Sequence, residues 1–180
     1  MTERGAGHSV LVVPVPALEP FVVARTRHYD PSFLSADPRF VHAHITLLAP
    51  FLPAPGPAEL ETVAKIAAAA EPFDFVLAEL RVFAGGTIHL APEPADPFAL
   101  LTAELVAAFP QCPPYEGLFD AVPHLTVDHL AGGVDVGSTR SALGDLVPAH
   151  CRADRISLQW YANHGCRTLA EWNLGEGTPR

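Results

Sequence analysis

Two short strings constrain the fold of this chain more than any other feature. His44-Ile45-Thr46 and His124-Leu125-Thr126 stand 80 residues apart, and the same interval separates Gly85 from Gly165. Each tripeptide is followed by a helical pattern, a strand, a glycine turn and a second strand. One shared tripeptide would carry little weight. A shared tripeptide, element order and turn position together mark an internal repeat. Two β-α-β-β units, about residues 41–91 and 122–174, predict an α+β fold. Its expected form is two pseudo-symmetric lobes of antiparallel sheet with outer helices and a cleft between them. Residues 1–180 read as a single two-lobed domain.

The rest of the chain fits that frame. Val10 to Val15 is a β-branched run and predicts a buried strand. Glu19-Pro20 opens a helix, with proline at its first turn. Val41 to Leu48 alternates as a strand does, and Leu60, Val63, Ile66, Ala67 and Ala70 fall at helical spacing. Phe73 to Phe83 and Thr87 to Leu90 predict a hairpin through Gly85-Gly86. A helix is expected from Asp96, a loop over Gln111 to Pro123, and a strand over His124 to Leu130. A short helix over 138–147, with Ser138 as its N-cap, precedes a final strand pair at Ile156 to Tyr161 and Thr168 to Leu174.

Strand residues two apart share a face. His44 and Thr46 therefore lie on one face with Ile45 and Leu47 on the other, and His124 and Thr126 repeat the arrangement. The apolar face packs on helices; the polar face meets solvent or a ligand. If a pseudo-two-fold relates the strands, both histidines and both threonines point into one cleft. That set suits a phosphodiester. One imidazole activates the attacking oxygen and the other protonates the leaving oxygen, because histidine titrates near neutral pH. The threonine hydroxyls donate to the non-bridging oxygens as charge builds there. His42, two before His44, is a possible further contact on that face. Asp128 either orients an imidazole or is solvated, and His89, His129 and His164 read as structural or exposed. A metal site made of His42, His44, His124 and His129 is disfavoured, since no carboxylate ligand stands at motif spacing and the threonines are paired.

These strings resemble the paired His-hydrophobic-Thr/Ser-hydrophobic motifs of the two-histidine (2H) phosphoesterase superfamily. The runs Val10 to Pro16, His44 to Phe51, Leu90-Ala91-Pro92-Glu93-Pro94, and Pro113 to His124 resemble its 2'-5' RNA ligase branch. The resemblance spans roughly residues 8 to 175. It implies enzymes that open 2',3'-cyclic phosphates on RNA ends or related small cyclic phosphodiesters. Some members join or cleave 2'-5' linkages, usually with no metal or other cofactor. Carried over, His44 and His124 are the catalytic pair and Thr46 and Thr126 bind phosphate; His124 is read as base and His44 as acid, roles that the near-symmetry lets swap between forward and reverse reactions. Arg39, Tyr115 and Phe119 lie near the motifs in sequence and are possible substrate contacts; the bland alternative for each is a loop anchor. A rival of another class is a nucleotide- or RNA-end-binding module that keeps the cleft without catalysis.

Composition decides the scale of the partner. With 49% apolar residues and 17% charged ones, the chain has material for a sizeable core. The formal charge is -9, which argues against coating long nucleic acid. It allows a small nucleotide or an RNA terminus carrying a cyclic phosphate. Cys112, Cys151 and Cys166 are odd in number and far apart, which predicts reduced thiols and a cytoplasmic location. No apolar run is long enough to span a membrane. A monomer is expected.

Overall fold

The computed structural model describes residues 7–176. Among these, eight strands and four α-helices follow in order: β1 (His8–Pro14), α1 (Glu19–Tyr29), β2 (His44–Leu48), α2 (Pro57–Ala69), β3 (Phe73–Val82), β4 (Thr87–Glu93), α3 (Asp96–Ala108), β5 (Leu125–His129), α4 (Val136–Leu143), β6 (Ala149–Ala153), β7 (Arg155–Tyr161) and β8 (Arg167–Asn173). They build two four-stranded antiparallel sheets, ordered β2-β1-β7-β8 and β5-β4-β3-β6. The expected α+β architecture of two sheets with helices is present.

The sheets divide the repeat differently from the β-α-β-β units of the sequence. Each motif strand sits at a sheet edge, next to the strand that precedes it in the chain: β2 beside β1, and β5 beside β4. The spatial match is therefore β1-α1-β2 with β4-α3-β5, and β3 with β7 in the third position. The outermost strands do not correspond, since β8 closes a hairpin with β7 whereas β6 is a separate strand paired to β3. Strand β6 is an addition to the expected order. Its sequence, Ala149-His150-Cys151-Arg152-Ala153, buries two alanines, too small to give a visible apolar period.

Local corrections follow from hydrogen bonding. Strand β2 begins at His44 rather than Val41, because Ala43 gives its N–H to the Glu19 carboxylate while its carbonyl accepts from Val15 N–H. Helix α4 begins at Val136, capped by Asp135 rather than Ser138. The Asp135 carboxylate accepts from Ser138 N–H at 2.7 Å, and the Ser138 hydroxyl accepts from Asp135 N–H at 2.9 Å, a reciprocal capping box. The β3–β4 turn uses Gly86 at φ +91, a left-handed conformation that glycine takes without a Cβ penalty.

The core is continuous between the sheets. Leu11, Val13, Ile45, Leu47, Leu77, Leu90, Phe98, Leu105 and Leu125 are among its buried members. Two helices cross the boundary. Helix α1 packs on β5 and α3 packs on β2, so each grips the motif strand of the other sheet. On one side Arg25 and Tyr29 of α1 both bond the Asp128 carboxylate of β5. On the other, the Thr102 hydroxyl of α3 donates to the Leu47 carbonyl of β2 at 2.9 Å. Thr102→Val keeps the shape but orphans that buried carbonyl, so it should cost about 1–3 kcal/mol of unfolding free energy. Thr102→Ser should retain most of it. Urea unfolding of the two variants checks this, and equal stability of both with the parent would contradict it.

Candidate functional site

The strand alternation does what the sequence implied. Ile45 and Leu47 of β2, and Leu125 and Val127 of β5, are buried in the core. The alternate residues face the gap between the two sheet edges. His44, Thr46, His124 and Thr126 line one cavity of about 210 Å³, together with Val22, Thr26, Phe33, His42 and Tyr161.

Both motif histidines are held the same way. His44 Nδ1 lies 2.7 Å from the His42 carbonyl, and His124 Nδ1 lies 2.7 Å from the Val122 carbonyl. A ring nitrogen facing a carbonyl must carry the proton. In the neutral ring Nε2 is then the free base. Each ring also abuts an aromatic side chain. Tyr161 lies 5.9 Å from His44, its hydroxyl 3.2 Å from Nδ1, and Phe83 packs edge-on to His124 at 4.8 Å.

Burial pushes both imidazoles below the ordinary histidine value, and the carbonyl bonds at Nδ1 oppose that shift. For His44 a charge on His124 lowers the value further. A charge on one imidazole thus disfavours a charge on the other, so the doubly protonated pair is the state this cavity opposes most.

The other expected contacts divide. Tyr115 lies beside Thr46 without lining the cavity, and its N–H donates to the Ala49 carbonyl at 2.7 Å. Burial raises its pKa, and the neighbouring Thr46 side chain opposes this. His42 lines the cavity, but both ring nitrogens are taken, Nδ1 by Glu19 at 2.7 Å and Nε2 by Ser35 N–H at 3.1 Å. Arg39 does not line the cavity. Its guanidinium bonds Asp37 and the Thr168 carbonyl, a loop anchor. Phe119 does not line it either and is 72% exposed. Asp128 orients no imidazole and is not solvated; it is buried under Arg25 and Tyr29.

Of the two readings the sequence leaves for His89, structural or exposed, the first holds: it is buried, beside the site. Its ring stacks on Phe83 at 3.8 Å and lies 5.4 Å from the His124 ring. The cause is the pairing of β4 with β5, which sets His89 opposite Thr126. A second cavity of about 350 Å³ adjoins the first. It shares Val22, Thr26, Phe33 and Thr126 with it and continues past Arg25, Tyr29 and Asp128. Among the described residues, no cluster of three or more His, Cys, Asp or Glu side chains is arranged to hold a metal ion. Among them, too, no helix is long and apolar enough to cross a membrane.

Paired His-x-Thr strands at facing edges of two antiparallel sheets define an α+β protein of the two-histidine phosphoesterase type. A family model described as the 2'-5' RNA ligase superfamily matches residues 14–165, and the chain belongs to that family. Solved structures share the fold. A crystal structure described as a phosphoesterase aligns with TM-score 0.60 at 16% identity, over 94% of this chain and 98% of that one. The TT0787 protein of Thermus thermophilus aligns with TM-score 0.59 at 17% identity, over 95% and 100%. LigT of E. coli in complex with 3'-AMP aligns with TM-score 0.56 at 16% identity, over 94% and 98%. No curated protein gives a significant match.

The lowered histidine values make a prediction about pH. A folded-state pKa below the unfolded one means that the folded chain binds fewer protons. The associated stability is present above about pH 6.5 and is lost as pH falls toward the folded values. NMR titration should place His44, His89 and His124 below about 6.5, since burial lowers all three. Midpoints at or above that value would contradict the burial argument.

Proposed function

We propose that the chain is a metal-independent phosphoesterase that hydrolyses the 2',3'-cyclic phosphate of a small nucleotide or an RNA terminus. The observation that carries this reading is the 210 Å³ cavity where two imidazoles, each with Nδ1 on a carbonyl, meet two threonines. The cyclic phosphate sits between the rings, and Thr46 and Thr126 donate to its non-bridging oxygens. His124 Nε2 takes the proton of the attacking water as its oxygen bonds to phosphorus. His44 Nε2 gives a proton to the ribose oxygen as the opposite P–O bond breaks, and that bond's electron pair stays on the oxygen. The product is a phosphomonoester, and the single proton has moved from one histidine to the other. With a ribose hydroxyl in place of water, the same groups would form a 2'-5' linkage.

The adjoining 350 Å³ cavity takes the nucleoside, because Thr126 lines both spaces. Its lining carries two carboxylates, Asp30 and Asp128, against the one guanidinium of Arg25, a net negative charge. That suits a neutral base and ribose better than a further phosphate. A net charge of -9 agrees with a short substrate, since an acidic exterior repels a long polyanion. LigT has been solved with 3'-AMP, with ATP and with NADP+, ligands of that size.

A panel of nucleoside 2',3'-cyclic phosphates, with products identified by NMR, tests the reading. His44→Ala and His124→Ala should each lower kcat by about 10²–10⁴-fold while leaving thermal unfolding intact. Turnover should survive a chelator and follow a bell-shaped pH profile. Full activity in both variants would sink the assignment. Loss of turnover in chelator, restored by a divalent ion, would sink the metal-independent mechanism.

A further inference from the structure

The chain leading into each motif is held differently, and the difference breaks the pseudo-symmetry at the site. Before His44, almost every polar group of residues 41–43 is engaged. The Val41 carbonyl accepts from Gln159 Nε2 at 2.9 Å. The His42 ring is pinned between the Glu19 carboxylate at 2.7 Å and Ser35 N–H at 3.1 Å. The second Glu19 oxygen accepts from Ala43 N–H at 2.8 Å, and the Ala43 carbonyl accepts from Val15 N–H at 2.8 Å. The His42 carbonyl then holds His44 Nδ1. Ser35 is tied in turn through its hydroxyl to the Cys166 carbonyl at 2.6 Å.

The approach to His124 has a much sparser scaffold. The Val122 carbonyl holds His124 Nδ1, but Val122 is 47% exposed, and its N–H reaches only Asp120 at 3.0 Å. The loop behind it exposes Leu118 and Phe119 and passes through left-handed Tyr115, Glu116 and Gly117. Among the described residues, no carboxylate takes the place of Glu19.

We propose that Glu19 is a positioning residue which, acting through His42 and the 42–43 peptide, fixes His44 as the general acid and so makes the two motif histidines inequivalent. This rests on the phosphoesterase reading above. His42 transmits orientation and not protons. Its Nε2 accepts from Ser35 N–H, so a proton there would break that bond. Burial disfavours the Glu19 carboxylate, but hydrogen bonds from His42 and from the Ala43 and His42 backbone outweigh this and hold its pKa below the usual range. Its negative charge favours an imidazolium at His44, against burial and the repulsion of a charged His124. Among the described residues, nothing comparable acts on His124. The titratable groups facing His44 are thus Glu19 from α1, His42 from the entry segment, Tyr161 from β7 and His124 from the strand opposite. The charge of Glu19 draws a proton toward His44 against that burial, and His124 is assigned as the base.

Glu19→Gln tests this with little change of shape. The amide can still accept from Ala43 N–H, but it carries no charge. We expect kcat to fall on the order of 10–100-fold with KM changed by less than about threefold. The alkaline limb of the kcat/KM profile, set by the acid, should move to lower pH with the acidic limb unmoved. A merely structural role would scale the whole profile without shifting one limb. Movement of the acidic limb instead, or no movement, would overturn the assignment. A dead His44→Ala beside an unimpaired Glu19→Gln would refute the role of Glu19 alone, whereas an active His44→Ala would refute the phosphoesterase reading itself. Should Glu19→Gln fold poorly, nitrogen NMR of the unaltered protein decides. His42 and neutral His44 should both appear with the proton on Nδ1, and Nε2–H forms of either ring would overturn the proposal.

Discussion

The site exists because each motif strand is a sheet edge, and an edge strand needs a cover. That cover comes from the opposite sheet. Helix α3 reaches across to the Leu47 carbonyl of β2, and α1 reaches across to Asp128 of β5. The two edges lie side by side, clamped by helices and not hydrogen-bonded to each other as strands. A gap remains where continued strand pairing would otherwise close the structure into one sheet. Asp128 shows the energetic commitment. Removing one partner from a buried ion pair strands the other charge, at a cost of about 3–5 kcal/mol. The clamp thus fixes where β5 lies against α1, and with it the side of the cavity that Thr126 lines.

Within that frame, the surroundings of the two histidines are asymmetric. The aromatic neighbours differ, a phenol with a hydroxyl beside His44 and a plain phenyl beside His124. The entry segments differ too, one laced to Glu19, Gln159 and Val15, the other an exposed loop. A duplicated scaffold supplies two equivalent bases. The unequal surroundings are what can turn two equivalent bases into an acid and a base.

Much of this is legible in the sequence, for a definite reason. The period of a strand fixes which residues share a face, so His44 with Thr46, and His124 with Thr126, can be placed before any partner strand is known. Whatever depends on which element lies next to which cannot. Glu19 is 23 residues before His42 and looks like an ordinary acidic helix start; only the fold brings it under the motif. His89 looks like an isolated strand histidine until β4 pairs with β5. Arg39 and Phe119 are near the motifs along the chain, but the loops carrying them turn elsewhere. Strand β6 escapes notice because alanines bury without announcing it.

The interleaving of the strands also sets an order of assembly. The sheet built from β3, β4, β5 and β6 draws on one unbroken stretch of chain, from Phe73 to Ala153. The other sheet pairs β1, near the beginning, with β7, near the end. During synthesis β1 and β2 must wait, one edge unsatisfied, until residues beyond Arg155 have been made. Their contacts span most of the chain, and such distant pairings form slowly because the intervening chain must first be closed. Strand β1 can thus be paired on both sides only after every strand of the other sheet has been made.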